Sequence, residues 1–545
     1  MSAATPNFEL GREPLAASQE QQQQQHSLAH HDDEKKGALA SSDDSDSDRN
    51  GGIDGENPTS TATAKRKYGQ LSGVALIFAC GASLFSDGYV NAIAGPVNTM
   101  ITKYSYADAP ADELKRFTTL FPSMAFVGTV VGMLSFGVLA DTIGRKWGML
   151  VCSAGLILFS ILAAGAWGAG GSTGGLFAAL IAYRFLIGIF IGGEYPCGSV
   201  ACAENTEQDN IKKTRQQAWF VLATNSCIDV AFILAPFIAL ILVWITGEGD
   251  LNPAWRVLLG LGAIPPLSLL FFRARMREPD SYKKAAIRKK LPWWIIIKKY
   301  WVRLTAVSLV WFAYDFVSYP AGIYSSFITT ELFPDAGLKT NLAFSIAISA
   351  FYLGTFVGAA VIDRLGPKYT IMLFLALQAV FGFALAGAFG YWRNHVGGLI
   401  AMTGLYIAFG EAGPGNCLGL LASKAVAPTA VRGRFYGIAA AIGKVGAFVG
   451  TYTFTPLQER FPEDSDNYYA APYYVGSALA VVAFFLVLFF VPAVQTDGIR
   501  KMDEEFLTLL RESGYDMDNV GLDSTSTGET IESANNAPHV THKEH

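Results

Sequence analysis

Apolar runs of roughly 20 residues recur twelve times along the 545-residue chain, which points away from any soluble fold. A helix rises about 1.5 Å per residue, so a run of that length crosses the roughly 30 Å of hydrocarbon in a bilayer. The expected spans are 71–95, 118–140, 147–168, 176–200, 216–243, 254–273, 302–328, 340–361, 370–390, 398–422, 434–455 and 472–492. With 51% hydrophobic residues, 16% charged and a mean hydropathy of +0.30, the chain has too little polar surface to face water, so the bilayer must be its solvent.

The ends read differently. Residues 1–68 are polar, with a glutamine run at Gln21 to Gln25 and the acidic serine tract Ser41 to Asp48, and such a segment cannot bury enough apolar surface to fold. It has no basic, short-cored secretory signal, so the first span is expected to direct insertion itself. The acidic serines are either phosphate acceptors or a merely solvated tract. Residues 494–545 form a second polar tail, with one amphipathic helix expected around Met502 to Arg511. Lys and Arg cluster before span one, after span four, between spans six and seven and after span twelve, whereas the connections after spans three and five carry none. Basic loops stay in the cytoplasm, so both termini are expected there. The layout expected is a tail to 68, a six-helix bundle over 69–273, a basic linker over 274–301, a second six-helix bundle over 302–493, and the C-terminal tail.

The two bundles repeat one another. FVGTVVGMLSFGVLADTIGRK (Phe126 to Lys146) is answered by YLGTFVGAAVIDRLGPK (Tyr352 to Lys368), and GEYPCG from Gly193 by GEAGPG from Gly410. Glu194 stands 21 residues before Arg215, and Glu411 stands 21 before Arg432. Asp87 answers Asp315. The offsets between partners, 228, 222 and 217, shrink steadily along the chain as loop deletions require. The fold class expected is therefore an all-α membrane protein of twelve transmembrane helices in two pseudo-symmetric bundles.

Function should sit where charge is expensive, since an ionised side chain at the centre of a membrane helix costs about 2.5–3.5 kcal/mol on the insertion scale. The charges so placed are Asp87, Arg184, Glu194, Asp229, Asp315, Glu411 and Lys444. The seven histidines, His26, His30, His31, His395, His539, His542 and His545, fall in the tails or one connection, so proton traffic is expected through carboxylates. A carboxylate removed from water takes up a proton more readily, and a nearby anion strengthens the tendency. The bland alternative is that these acids are held in static pairs by Arg184 or Lys444.

The motifs G-V-L-A-D-T-I-G-R-K (Gly137 to Lys146), D-R-L-G-P-K from Asp363, and R-x-x-x-G-x-x-x-G at Arg184, Gly188 and Gly192 resemble those of the major facilitator superfamily over nearly the whole membrane portion. Asp141 and Arg145 suit ion pairs at helix ends, and the glycines suit close packing, so this set implies gating and structure rather than substrate contact. Within the superfamily, GGEYPCGSVACAEN (Gly192 to Asn205), Trp311 to Tyr319, GEAGPGNCLGLLASK (Gly410 to Lys424) and the run ending at Lys444 resemble the phosphate:proton symporter branch, and in it the fungal glycerophosphodiester (glycerophosphoinositol) permeases. The resemblance implies a phosphate site of Tyr195, Trp311, Asp315 and Tyr319 with Lys444 as cation. Asp87, Asp315 and Glu194 are the expected proton carriers. Asn225 falls near a glutamine of the phosphate symporters.

Where those symporters have Asn-Phe, this chain has Glu411 and Ala412. A carboxylate repels a phosphate dianion, yet it can accept hydrogen bonds from polyol hydroxyls or face a choline ammonium, which fits a phosphodiester with its single charge. Alternatively Glu411 pairs with Lys444 and touches no substrate. The function expected is proton-coupled import of glycerophosphodiesters by alternating access, with inorganic phosphate symport and a non-transporting nutrient receptor as alternatives. No enzyme activity, metal or cofactor is expected, the proton gradient supplying the drive: Gly437 to Lys444 has the wrong spacing for a nucleotide loop and lacks Ser or Thr after the lysine, and the six cysteines are scattered. A monomer in the plasma membrane, with no nucleic-acid partner, completes the reading.

Overall fold

The computed structural model describes residues 73–515, apart from 209–210, 286–291, 325–336, 463–464 and 495–496, together with 517 and 520. The expected N-terminal tail, the basic residues Arg288, Lys289 and Lys290 of the linker, and the end of the C-terminal tail lie outside the described residues.

Within them, ten helical stretches are long and apolar enough to cross a membrane: α1 (Val74–Ser105), α2 (Ala111–Thr142), α3 (Arg145–Ala164), α4 (Thr173–Thr206), α5 (Lys213–Thr246), α6 (Asn252–Ala274), a 51-residue stretch Gly337–Gly387, then Val396–Lys424, Arg432–Gln458 and Asp466–Phe490. The 51-residue stretch breaks at Gly366, whose φ of 77° no helix tolerates, and Pro367 starts the next helix. It is thus two spans, α8 (337–366) and α9 (367–387). Trp293–Ile323, 31 residues long and carrying Asp315, is α7. The others become α10 (Val396–Lys424), α11 (Arg432–Gln458) and α12 (Asp466–Phe490), and the count reaches twelve. Helix α7 begins nine residues before the expected 302, because the tract WWIII ahead of Lys298 continues the helix.

Small residues set the packing. Gly128 and Gly132 of α2 lie against the carbonyls of Phe185 and Ile189 in α4, while Gly188 and Gly192 of α4 lie against those of Ala125 and Thr129 in α2, so a methyl at any of the four would overlap backbone. In lipid, where apolar side chains gain little by leaving hydrocarbon, such close approach is the main source of helix adhesion. Gly437 of α11 approaches the carbonyl of Met133 in α2 in the same manner, which brings the two bundles together.

One face of the bundle is closed by charge. Asp141 accepts from the backbone N–H groups of Gly433 and Arg434 at 2.9 Å, at the start of α11. Asp363, its repeat partner, accepts from the N–H groups of Gln217 and Ala218 at 3.0 and 3.1 Å, near the start of α5. Each carboxylate thus satisfies orphan donors at a helix N-terminus of the opposite bundle, where the helix dipole favours it. Arg145 joins Asp141 (3.3 Å) and Glu204 (3.2 Å), and Arg432 meets the same Glu204 oxygen at 3.2 Å.

Over this face lies α13 (Gly498–Glu512), with Ile499, Met502, Phe506 and Leu510 buried along one side. It touches both bundles. Ile499 N–H donates to Glu207 (3.2 Å) and Asp497 pairs with Lys213 (2.5 Å), while Asp503 accepts from the N–H (2.7 Å) and hydroxyl (2.6 Å) of Thr429. Burial holds the Asp503 carboxyl above its ordinary range, with Arg432 offsetting only part of the rise, whereas Lys213 beside Asp497 holds that carboxyl below its ordinary range.

Replacing Gly188 with valine should cost about 1–3 kcal/mol by overpacking the α2–α4 contact. Thermal unfolding in detergent would register this as a lower midpoint than that of the wild type, and an unchanged midpoint would contradict the backbone contact.

Candidate functional site

The two halves of the repeat place matching irregularities in the membrane. GEYPCG and GEAGPG each widen into a π turn, Tyr195–Ser199 in α4 and Glu411–Gly415 in α10. Pro196 and Pro414 have no N–H to give and crowd the preceding turn, so a looser winding relieves both problems. The consequence is that Tyr195 and Glu411 turn toward the space between the bundles, where a cavity is lined by residues of α1, α4, α5, α7, α8, α10 and α11.

At one side of this cavity lies a lysine shared by two acids. Lys444 Nζ is 3.4 Å from Asp87 Oδ2 and 3.6 Å from Asp315 Oδ2, and it donates to the Tyr319 hydroxyl. The hydroxyls of Tyr195 and Tyr319 both donate to Asp87 Oδ2, at 2.6 and 2.8 Å, and the Asn91 amide donates to Asp87 Oδ1 at 2.8 Å. Trp311 stands edge-on to Tyr195 (6.4 Å) and to Tyr436 (5.8 Å). Asp87, Asp315 and Lys444 are each about 1% exposed, so none is relieved by bulk water. The cluster holds one positive charge against two negative ones.

Across the cavity lies a second acidic group. Asn225 Nδ2 donates to Asp229 Oδ2 (2.9 Å), to Asn416 Oδ1 (3.1 Å) and weakly to Glu411 Oε2 (3.4 Å), and Ser318 donates to Glu411 Oε1 (3.0 Å). Asn416 is itself fixed by the Thr355 hydroxyl and carbonyl, both at 2.8 Å. Asp229 also meets the Thr355 hydroxyl and the Glu411 carboxyl, so the two acids form one hydrogen-bonded group. Among the described residues, neither Asp229 nor Glu411 has an ion-pair partner.

Of the residues expected from sequence, Tyr195, Asn225, Trp311, Asp315, Tyr319, Glu411 and Lys444 all line this one cavity. Asp87 does not; it lies behind the wall and is reached through the two tyrosine hydroxyls. Glu194, expected to carry protons, lies elsewhere, at 2.6 Å from Arg273 Nη1. That arginine also donates to the Ala79 and Cys80 carbonyls and to the Ser83 and Ser153 hydroxyls, tying α1, α3, α4 and α6 into one unit. Glu194 is thus held in a static pair, although by Arg273 rather than by Arg184 or Lys444. The alternative pairing of Glu411 with Lys444 is not observed. Among the described residues Arg184 makes no ion pair, although Asp87 is near enough to feel its charge: its donors go to the carbonyls of Val90 (2.5 Å), Phe121 (3.1 Å) and Pro122 (3.5 Å), and weakly to Asn91 Oδ1 (3.4 Å), the residue that steadies Asp87. Gly188 and Gly192 pack α4 on α2, and Asp141, Arg145 and Asp363 belong to the closed face, apart from the cavity.

Sequence reasoning gave no role to Asp229 beyond its cost and overlooked Asn91, Glu204, Ser318 and Asn416. A signal existed for three of them, since Glu204, Ser318 and Asn416 stand inside the quoted runs GGEYPCGSVACAEN, Trp311 to Tyr319 and GEAGPGNCLGLLASK.

The chain matches the family described as Sugar (and other) transporter over residues 74–285 and 278–506. It is 41% identical to the major glycerophosphoinositol permease of Candida albicans over 82% of this chain and 83% of that protein. It is also 42% identical to a glycerophosphocholine permease of the same organism, over 81% and 82%. Its fold is similar to that of the major facilitator superfamily proton:xylose symporter bound to 6-bromo-6-deoxy-D-glucose, with a TM-score of 0.66 at 16% identity, over 79% of this chain and 98% of the symporter.

Arg273→Met leaves Glu194 buried without a partner, a loss of about 3–5 kcal/mol. Adding Glu194→Gln should restore most of the lost thermal stability in detergent; a double variant as unstable as the single one would mean that the pair is not the source of the loss.

Proposed function

Since the chain belongs to the sugar (and other) transporter family, a branch of the major facilitator superfamily, we propose that it imports glycerophosphodiesters together with protons, by alternating access. The permeases that it resembles support the substrate class, and the shared lysine supports the coupling.

Lys444 is the one ammonium beside Asp87 and Asp315 in the cavity cluster, and a phosphodiester anion must compete with both carboxylates for it. Adding that anion to a cluster already one charge negative is costly in a low-dielectric site. A proton on either acid removes the excess and frees the ammonium, so proton binding and anion binding favour one another. The hydroxyls of Tyr195 and Tyr319 and the indole N–H of Trp311 suit the phosphate oxygens because they donate without adding fixed charge. Tyr195 and Tyr319 already donate to Asp87; neutralising that acid lets them turn to the substrate.

In the cycle proposed, Asp87 and Asp315 load protons from outside, the diester binds at Lys444, and the six helices before the linker rock against the six after it. Proton release to the cytoplasm restores both carboxylates, which then displace the anion from Lys444. The drive is the proton gradient, with no bound cofactor, and the protein acts as a monomer of the plasma membrane with both termini cytoplasmic.

In proteoliposomes with an imposed pH gradient, wild-type protein should accumulate labelled glycerophosphodiester, and Asp315→Asn should abolish gradient-driven accumulation. Accumulation of phosphate with no diester uptake would replace this reading by phosphate symport, and binding without accumulation would replace it by a receptor. Lys444→Gln should lower kcat/KM by about a hundredfold, as expected when a buried hydrogen-bonded charge loses its partner. Uptake at the wild-type rate in that variant would remove Lys444 from the site.

A further inference from the structure

Across the cavity from Lys444, the two bundles meet along a polar seam in which Asn225, Ser226 and Asp229 of α5 face Thr355 of α8 and Glu411 and Asn416 of α10. Its hydrogen bonds cross from one bundle to the other. Asn225 Nδ2 reaches Asn416 Oδ1 (3.1 Å) and Glu411 Oε2 (3.4 Å), and the Ser226 and Thr355 hydroxyls lie 2.9 Å apart. In the middle of the seam the carboxyl of Asp229 meets that of Glu411, both buried.

A count of hydrogens limits what that contact can be. The Asn225 amide has two hydrogens for Asp229, Glu411 and Asn416, the single hydroxyl hydrogen of Thr355 goes to Asn416 Oδ1 (2.8 Å) or to Asp229, and Ser318 gives its own to Glu411 Oε1 (3.0 Å). None of these hydrogens belongs to the direct contact between the acids. An ionised carboxyl only accepts, so two carboxylates in contact repel one another and leave the contact without a hydrogen. One proton on the pair removes both faults, as it does where two aspartates of a protease share a site.

No cation offers another solution. The titratable groups facing the pair are Cys227 of α5, Tyr314 and Asp315 of α7 and Tyr352 of α8, and among the described residues none is positive. Lys444 is engaged by Asp87 and Asp315. Gly415 gives the acids their room, since a methyl there would run into the Glu411 carboxyl and lie 3.0 Å from Asn225 Nδ2.

We infer that Asp229 and Glu411 hold one proton between them while the bundles are closed on this seam, and that they give it up when the seam parts. In that step the O–H bond of the protonated acid breaks, the proton passes to entering water, and two hydrated carboxylates remain. The proton thus belongs to the pair and to neither residue alone. While present it is a hydrogen bond joining α5 to α10; once lost, like charges push the two bundles apart. The inference rests on the reading above, in which protons drive the rocking of the bundles, and adds a proton that never competes for Lys444.

The test is infrared difference spectroscopy of the purified full-length protein at neutral pH, which reads the C=O stretch of protonated carboxylic acids. Asp229→Asn and Glu411→Gln should each remove one acid band from the wild-type spectrum, because the new amide supplies the hydrogen that the remaining acid needs. The double variant should lose no more than either single variant. Loss in only one single variant, in neither, or additive loss in the double variant would each overturn the shared proton. Ser318→Ala keeps both acids and serves if the amide variants do not fold: it should displace one acid band without abolishing it, and an unmoved spectrum would overturn the assignment. In proteoliposomes, either amide variant should carry about one proton fewer per diester than wild type, and an unchanged count would overturn the release step. Failure of the transport reading shows separately, as absent accumulation by wild type, and leaves the infrared outcomes as they stand.

Discussion

Lys444 must divide a single positive charge between Asp87 and Asp315, and the rest of the interior is organised around that shortage. Three other buried acids have settled cations. Glu194 has Arg273, Glu204 lies between Arg145 and Arg432, and Asp141 has Arg145 together with two backbone donors. Negative charge exceeds positive at Asp87 and Asp315 and again at Asp229 and Glu411, and both excesses sit on or just behind the wall of one cavity. A bilayer protein tolerates such imbalance where a mobile ion or ligand completes it.

The pseudo-symmetry explains how the chain affords this arrangement. Corresponding motifs make corresponding turns, so Tyr195 and Glu411 face the centre from opposite bundles, and Asp141 and Asp363 each cap a helix of the other bundle. The register is not perfect. Asp141 meets the first two N–H groups after Arg432, while Asp363 meets the second and third after Arg215. Chemistry departs further from symmetry than geometry does. Lys444, Trp311 and Tyr319 come from the second half, as the sequence suggests, but Tyr195, Asn225 and Asp229 come from the first, so the cavity is a joint product.

The spans were legible because hydrocarbon imposes a length and composition that few other constraints share. The pairing of Asp87 with Asp315 was legible from repeat offsets, and the structure brings both to one lysine. Offsets misled at Glu194. Its symmetry with Glu411 suggested a shared role, yet its partner Arg273 is 79 residues away, in a segment whose basic character reads as the start of a linker. Partners of buried charges depend on which helix ends meet in space, and apolar periodicity carries no record of that. The same holds for Asn91, a polar residue of ordinary spacing whose importance comes only from the carboxylate it reaches.

Helix α13 rests on both bundles at once, on Glu207 and Lys213 of one and on Thr429 and Arg432 of the other. In the alternating-access cycle proposed above, those footholds would move apart as this mouth opens. The free energy that holds the helix in place and the free energy that holds the mouth shut are therefore one quantity measured from two ends. Whatever loosens the helix lightens the closed state by the same amount, and whatever opens the mouth must first lift the helix. In that proposed cycle, α13 thereby acts as a counterweight on the equilibrium between the closed and open mouth.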